Sequence, residues 1–556
     1  MNETKTSWWH GHLARERSWA GCPSYSRRKS PVPFASLLII ALCLPLAWGA
    51  SSDGRANKDY IGPTTAGVSL AIPTSGPLSV SVEKAILQTL ENNQELRVER
   101  LAPRLRRTAE DMERAAFDPT LTGAVSYSRD RTERESKATD KTVETTTKRT
   151  NASLGISEFL PTGTNIDIGL SANRTWATDA GDQNTAGADI TITQALLRGG
   201  GLDALNVNLA SLRQARLDTR SSEYELRGFA ESLVARVEET YWDYALAQRQ
   251  IKIFTDSLNL AQQQLREAEE RIAVGKLADI ERAAAQAEVA LREEALINAR
   301  STLATTRLQL LRLLNPPGET LWNREVVLEN QPATTSDTLA DVESHLQVGF
   351  RMRPDLNQAR LGIQRGDLDI VKTRNGLLPR LDFFITLGRT GYADSFGGSV
   401  RGADGHGYDG TVGLNFEYPI LNRAARARYE RSRFSLDQLQ ESLQNMEQLV
   451  QVDIRTAHIE VNRLKEQITA TAATRKLQEE SVRSETEKFR VGKSTTLLVA
   501  RAQRDLLSSQ IDEIKAIVSH LKALVDLYRL EGSLLERWGL SAPGRQPVSE
   551  MSPARR

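Results

Sequence analysis

Much of this chain is written twice, and that repetition limits what it can fold into. AVGK at Ala273–Lys276 returns as RVGK at Arg490–Lys493, a shift of 217 residues. At the same shift, Ala285-Gln286 falls on Ala502-Gln503 and Leu308–Leu314 falls on Val525–Glu531. Upstream, Leu233, Val237, Thr240, Tyr244, Ala247 and Ile251 are spaced 4, 3, 4, 3, 4, and the shift carries them onto Val450, Ile454, Ala457, Val461, Leu464 and Ile468. That spacing lays one apolar seam along a helix, so two long helices with matching seams are expected. Nearer the N-terminus the shift becomes 260: Glu95-Leu96 matches Asp355-Leu356, and Pro119-Thr-Leu121 matches Pro379-Arg-Leu381. The first copy is therefore shorter before its Pro and longer after it, and a repeat of this kind calls for a fold of two related halves.

Each copy reads as helix, strands, very long helix, turn, helix. Between the Pro and the long helix lie alternating stretches: LTGAVSYSR, NASLGISEFL, TNIDIGLSANRT and GADITITQAL in the first copy, LDFFITLGRT and GTVGLNFEYPI in the second. Alternation bounded by Gly, Asn and Asp predicts strands with two different faces. The turn Leu160–Thr164 is tight, whereas the links Asp130–Arg149, Trp176–Ala186 and Gly391–Asp409 are long and polar. Short turns at one end and long loops at the other are the layout of an outer-membrane β-barrel. A helix over about residues 203–273 would run roughly 105 Å, and one over about 424–490 roughly 100 Å. Shorter helices near 279–314 and 342–375 together cover about the same length, with Asn315-Pro-Pro-Gly318 breaking the chain between them. The fold class expected is mainly α with a membrane β-barrel: a tube, with the repeat running 78–318, a linker over 319–340, and the second repeat over 341–540.

Composition excludes several functions. Across 556 residues the net charge is +1, with basic and acidic side chains interspersed, so nothing points to nucleic acid. Charged residues at 26% and aromatics at 6% suit long helices better than one large globular core. The run Phe34–Ala50 follows Arg27, Arg28 and Lys29 and ends in Ala47 and Gly49. It reads as a signal peptide over residues 1–50; the alternative is a membrane anchor, against which Pro45 and the short apolar length argue. Both cysteines, Cys22 and Cys43, fall there, leaving the remaining chain without thiol chemistry. Leu42 before Cys43 is not the small residue that a lipidation site needs. Residues 51–77 read as an extended linker, and 541–556 as a polar, disordered tail.

FRVGKST at Phe489–Thr495 resembles the end of a phosphate-binding loop, but Glu487 occupies the position of the loop's first Gly, and no strand precedes it. His345, His406, His458 and His520 are widely spaced without Cys partners, and each reads as a surface or helix histidine. Asp404, His406 and Asp409 lack the ligand series of a Ca²⁺ loop, so Gly397–Gly410 reads as an extracellular loop. No catalytic motif appears, and no enzyme activity, cofactor or metal is expected.

Six strand candidates cannot easily close a wide barrel, and an open sheet edge in lipid leaves backbone groups unpaired. Several copies must therefore share one barrel, with helical faces meeting side by side. A secreted coiled-coil scaffold or a periplasmic adaptor would also explain a leader and heptads. The first leaves the Pro-bounded strand sets unexplained, and an adaptor carries one helical hairpin, not two full copies.

The duplicated plan, NNQELRVERL at Asn92–Leu101, the two Pro-x-Leu strand starts and the two VG turns followed by Ala-Gln resemble the TolC family of outer-membrane efflux proteins over about residues 80–538. That resemblance implies a homotrimeric channel, an α-helical tunnel through the periplasm, and docking to a periplasmic adaptor coupled to an inner-membrane pump. It implies that Val274, Gly275, Lys276, Val491, Gly492 and Lys493 lie at the periplasmic tip and dock the adaptor. Equally, each Gly could serve as a helix C-cap with a solvated Lys after it. By the same resemblance the entrance falls at Glu281, Phe489, Ser494, Leu498 and Arg501. Ser494 replaces a basic residue, and Leu498 and Arg501 stand where the best-known member carries acidic rings. Arg501 would then favour anions, or else pair with Asp505 one turn along. The strand number stays open, six per protomer or four if the Leu160–Thr164 hairpin lies outside the membrane.

Overall fold

A computed structural model describes residues 62–63, 77–136, 141–178, 180–316, 321–333, 339–402 and 407–548. The leader expected over 1–50, both cysteines, most of the 51–77 linker, Asp404 and His406, and residues 549–556 lie outside the described residues.

The first copy opens with β1 (Gly62–Pro63), β2 (Leu78–Val80), α1 (Val82–Asn92), α2 (Gln94–Glu99) and α3 (Leu101–Arg114). Four strands follow, β3 (Thr120–Ser136), β4 (Lys141–Phe159), β5 (Thr164–Ala177) and β6 (Gly181–Ala195), then α4 (Ala204–Asn208), α5 (Ala210–Ala273) and α6 (Ile280–Leu314). After β7 (Val326–Leu328), the second copy runs α7 (Val342–Met352), α8 (Pro354–Asn375), β8 (Arg380–Ala393), α9 (Phe396–Gly402), β9 (Tyr408–Glu417), α10 (Arg423–Arg490) and α11 (Thr496–Leu530). It closes with α12 (Leu534–Arg537) and β10 (Leu540–Ser541).

The long helices α5 and α10 have 64 and 68 residues, about 96 and 102 Å at 1.5 Å per residue. Their seams are buried as the spacing predicts: Leu233, Val237, Tyr244 and Ala247 on α5, and Val450, Ile454, Val461, Leu464 and Ile468 on α10. α6 and α8 both pack along α5, while α11, α8 and α7 pack along α10. The rising helix over 342–375 is broken at Arg353, because Pro354 opens α8 at its first turn, where the missing N–H costs nothing.

Where the copies meet, β2 pairs in parallel with β7, and Leu78, Val80, Ile86, Leu90, Leu233, Tyr241, Leu310 and Leu314 form a core around them. Asn315 caps α6 in the left-handed region (φ 42°), and its Nδ2 donates to Asn92 O at 2.9 Å. The stretch read as a linker thus supplies a core strand, with Val326 buried. The start of the expected tail is also packed: β10 pairs with β1, and buried Val548 donates its N–H to Asn357 Oδ1 at 2.9 Å.

All six long strands form one antiparallel sheet in the order β3-β4-β5-β6-β8-β9, so the Leu160–Thr164 turn joins two strands of the main sheet. Two of the links expected to be long loops are instead strand. β3 and β4 extend to Ser136 and from Lys141, and β5 runs to Ala177 with β6 starting at Gly181. Cross-strand pairs hold these extensions: Arg131 with Glu144, Arg174 bidentate to Asp182 at 2.9 and 2.6 Å, and Lys148 Nζ 4.7 Å above the Trp176 ring. In the third link, α9 folds back against β8 and β6.

Candidate functional site

The helix turns are built alike in both copies. Val274 caps α5, Gly275 takes φ +73°, its N–H reaches Ile272 O at 2.9 Å, and Lys276 N–H reaches Arg271 O at 2.8 Å. In the second copy Gly492 takes φ +75°, its N–H reaches Phe489 O at 3.1 Å, and Lys493 N–H reaches Lys488 O at 2.7 Å. This paired 6→1 and 5→2 bonding is a Schellman cap, which needs Gly because only Gly adopts a left-handed conformation without strain. Nothing lies within 4 Å of where a Cβ on Gly275 or Gly492 would be, so both turns present open backbone. Val274 and Val491 are each 67% exposed, as no residue in the interior of a single chain would be, and both lysines are exposed.

The two hairpin ends lie side by side. Thr496 Oγ1 donates to Glu281 Oε2, and the Arg271 guanidinium sits 4.9 Å from the Phe489 ring centre. Between them a cleft is lined by Ala268, Arg271, Ala285, Phe489, Thr496 and Leu497. Of the residues assigned to the entrance, Glu281 and Phe489 are therefore tied to the other hairpin. Ser494 bonds locally, donating to Glu485 Oε2 at 2.8 Å. Hydrogen bonds from Lys488 and Ser494 hold the Glu485 carboxyl below the usual carboxylate range. Leu498 and Arg501 stand exposed on α11, and among the described residues Arg501 forms no ion pair with Asp505. Arg271 and Thr496 were not legible as site residues: their partners are more than 200 positions away, and neither breaks the helical pattern.

At the other end, the sheet has two chemically distinct faces. One carries Leu121, Val125 and Tyr127 on β3, Leu154 and Ile156 on β4, and Ile168 and Leu170 on β5. It continues through Ile190 and Ile192, Ile385 and Leu387, and Val412, Leu414 and Phe416. Most of these side chains are exposed, a contiguous apolar surface far larger than a soluble monomer presents. Tyr127, Trp176 and Tyr408 mark its loop side, and Phe383 and Phe416 its helix side, the places of aromatic girdles at membrane interfaces. The opposite face carries Ser126, Ser153, Asp167, Asn173, Asp189, Thr191, Thr386, Thr411 and Asn415, suited to water. Edge strands β3 and β9 each leave one side unpaired. Among the described residues no helix is long and apolar enough to cross a membrane, and no group of three or more acidic, His or Cys residues could hold a metal. His345 and His520 are buried on their helices, with His345 Nδ1 2.5 Å from Glu531 Oε2 and burial holding His520 below its ordinary value.

The sequence model of the outer membrane efflux protein family matches residues 85–316 and again 351–533. The chain belongs to that family. The double match follows the internal repeat. The pyoverdine export outer membrane protein OpmQ of Pseudomonas aeruginosa is 24% identical over 332 residues, 58% of this chain and 66% of that protein. The cobalt-zinc-cadmium resistance protein CzcC of Cupriavidus metallidurans is 26% identical over 167 residues, 29% of this chain and 40% of that protein. These matches leave at least a third of each relative's length unaligned. Among solved structures, the outer-membrane channel OprN superposes with a TM-score of 0.61 at 18% identity, covering 85% of this chain and 98% of that one. At that identity the likeness establishes the fold.

Proposed function

We propose that three copies of this chain form a passive conduit that receives cargo from a periplasmic adaptor and inner-membrane pump and releases it outside the cell. The observation that carries this reading is the coupling of a lipid-facing, water-lined sheet to paired helices about 100 Å long. That length matches a periplasmic tunnel, and the sheet matches an outer-membrane pore. The two VGK turns are the docking points: open Gly backbone admits a close-packed partner helix, and Lys276 and Lys493 offer charge to it. The pump supplies the energy, and the channel subunit has no catalytic role. OpmQ is named for pyoverdine export and CzcC for cobalt, zinc and cadmium resistance, so relatives of this chain are named for different cargo.

Fractionation tests the reading. The protein is expected in the outer membrane as trimers that resist SDS until heated; recovery wholly in the soluble periplasm would overturn it. Docking is tested by Lys276→Glu with Lys493→Glu, which is expected to lower adaptor co-purification while leaving the trimer intact. Equal co-purification would remove the lysines from the docking surface. Arg501, exposed on α11, would make the entrance less cation-selective, and Arg501→Asp is expected to shift ion preference toward cations in bilayer recordings.

A further inference from the structure

The two copies differ in strand number. Pro119 and Pro379 open β3 and β8 alike, and β6 and β9 both lead into a long helix, so β4 and β5 form a hairpin inserted into the first copy only. This hairpin is an integral part of the sheet: β4 pairs with β3 over Lys141–Ser157 and with β5 over Thr147–Phe159, and β5 pairs with β6 over Thr164–Ala177.

The register of the sheet then fixes how it can close. The row of directly paired residues that starts at Leu121 on β3 passes through Ile156, Ile168, Ile190 and Leu387 and arrives at Gly410 on β9. Leu121 lies at the helix-side limit of the apolar run on β3, whereas Gly410 lies beside Tyr408 at the loop-side limit of the run on β9. Followed across the six strands, the row climbs through the apolar band. To keep the band level, Gly410 must meet Tyr127 of the next copy, about six residues up β3 from Leu121. A climb of six residues over six strands, at about 3.3 Å rise and 4.8 Å spacing, is a tilt of about 35°, within the range of closed barrels. Strand direction agrees: β3 and β9 run oppositely, so edge-to-edge joining is antiparallel, as in the rest of the sheet.

We infer that β9 of each copy pairs with β3 of the next in this register, Val412 opposite Val125 and Phe416 opposite Leu121, and that three copies close an 18-stranded barrel. The occupant of both free edges is a second copy of this chain. The number three rests on the trimeric reading above; the register rests on the sheet alone. At that tilt and spacing an 18-stranded barrel is about 34 Å across between backbones, against about 23 Å without the inserted hairpin. Such an exit admits bulky cargo, and size selection falls to the periplasmic tip.

Disulfide trapping in intact outer membranes tests this, in a chain carrying Cys22→Ser and Cys43→Ser. Val125→Cys with Val412→Cys is expected to give a cross-linked ladder ending at three copies. Arg129→Cys with Val412→Cys, about four residues off, is expected to give less than a tenth of that yield. Equal or greater trapping by the Arg129 pair, or no trapping by the Val125 pair in protein that native mass spectrometry shows to be trimeric, would overturn the register. A ladder ending at two copies would overturn the 18-stranded barrel. A monomeric mass would instead overturn the trimeric reading.

Discussion

The long helices α5 and α10 come from the same repeat, share a seam and end in the same Gly turn, yet their surroundings differ. α5 buries 23 side chains, among them Arg227, Glu231, Glu238, Tyr241 and Trp242, because α1, α3, α6, α8, α11 and α12 all pack on it. α10 buries five, all on its seam. Phe434, Leu449, Val452, Ile459 and Leu477 stand exposed along it, and this is the surface we assign to the neighbouring copy in a trimer. The repeat fixes the helix and its seam, and the remaining faces have diverged: one copy became the internal pillar of the protomer and the other its outer wall.

Paired substitutions at equivalent positions sharpen that contrast. The largest effect is expected at Arg227, which is fully buried and donates to Glu231 at 3.1 Å, Gly532 O at 3.0 Å and both oxygens of Glu536. Arg227→Met leaves two carboxylates without their cation, a loss on the order of 3–5 kcal/mol. Burial already pushes Glu231 up to about 8, so a proton can replace part of the missing charge and the lower end is expected. The equivalent residue on α10 is Gln444, exposed, and Gln444→Met is expected to stay within about 0.5 kcal/mol. Denaturant titration of both variants in detergent measures the difference.

A smaller effect is expected from pH. Burial pushes Glu238 up to about 7 from its ordinary value of 4.5, against the hydrogen bond from Trp538 Nε1 at 3.3 Å. Between those two values the folded protein keeps a proton on Glu238 that the unfolded chain has lost, so this group's contribution to stability falls as pH rises from about 4.5 to about 7, and Glu231 extends the fall to about 8. Glu238→Gln is expected to flatten that slope. Its equivalent, Arg455, is exposed beside Glu343 at 3.4 Å, and Arg455→Gln is expected to leave the pH profile unchanged. The smallest effect is expected where the copies solved one packing position differently. Leu258 and Leu296 on α5 and α6 correspond to Arg475 and Glu513 on α10 and α11, which form an ion pair at 2.6 Å. Replacing both Arg475 and Glu513 with Leu is expected to change stability by no more than about 1 kcal/mol, because a partly exposed pair contributes little, with side chains 33% and 20% exposed. A loss of several kcal/mol would show that the pair, and not the seam, holds that hairpin.

What was legible in the sequence was whatever repeats or alternates. The 4-3 spacing marked the seam from Leu233 to Ile251, and alternation marked all six strands. The strand ends were not legible, because Thr and charged residues beyond the apolar band, such as Arg131 and Glu144, look the same in a polar loop and in a hairpin standing in water. Val326–Leu328 is too short to carry a pattern, so in the sequence this core strand is indistinguishable from linker. At the tip, the Gly turns were visible through their duplication. The pairing of Arg271 with Phe489 was not, since it depends on how two hairpins lie together.

On the reading proposed above, three copies of this chain make an energy-independent pore. Single-channel recording in planar bilayers, with trimers purified from outer membranes and no adaptor, pump or nucleotide, tests it most directly. Stepwise current of uniform size is the expected result, and a trimer that inserts without conducting under any applied voltage would contradict it.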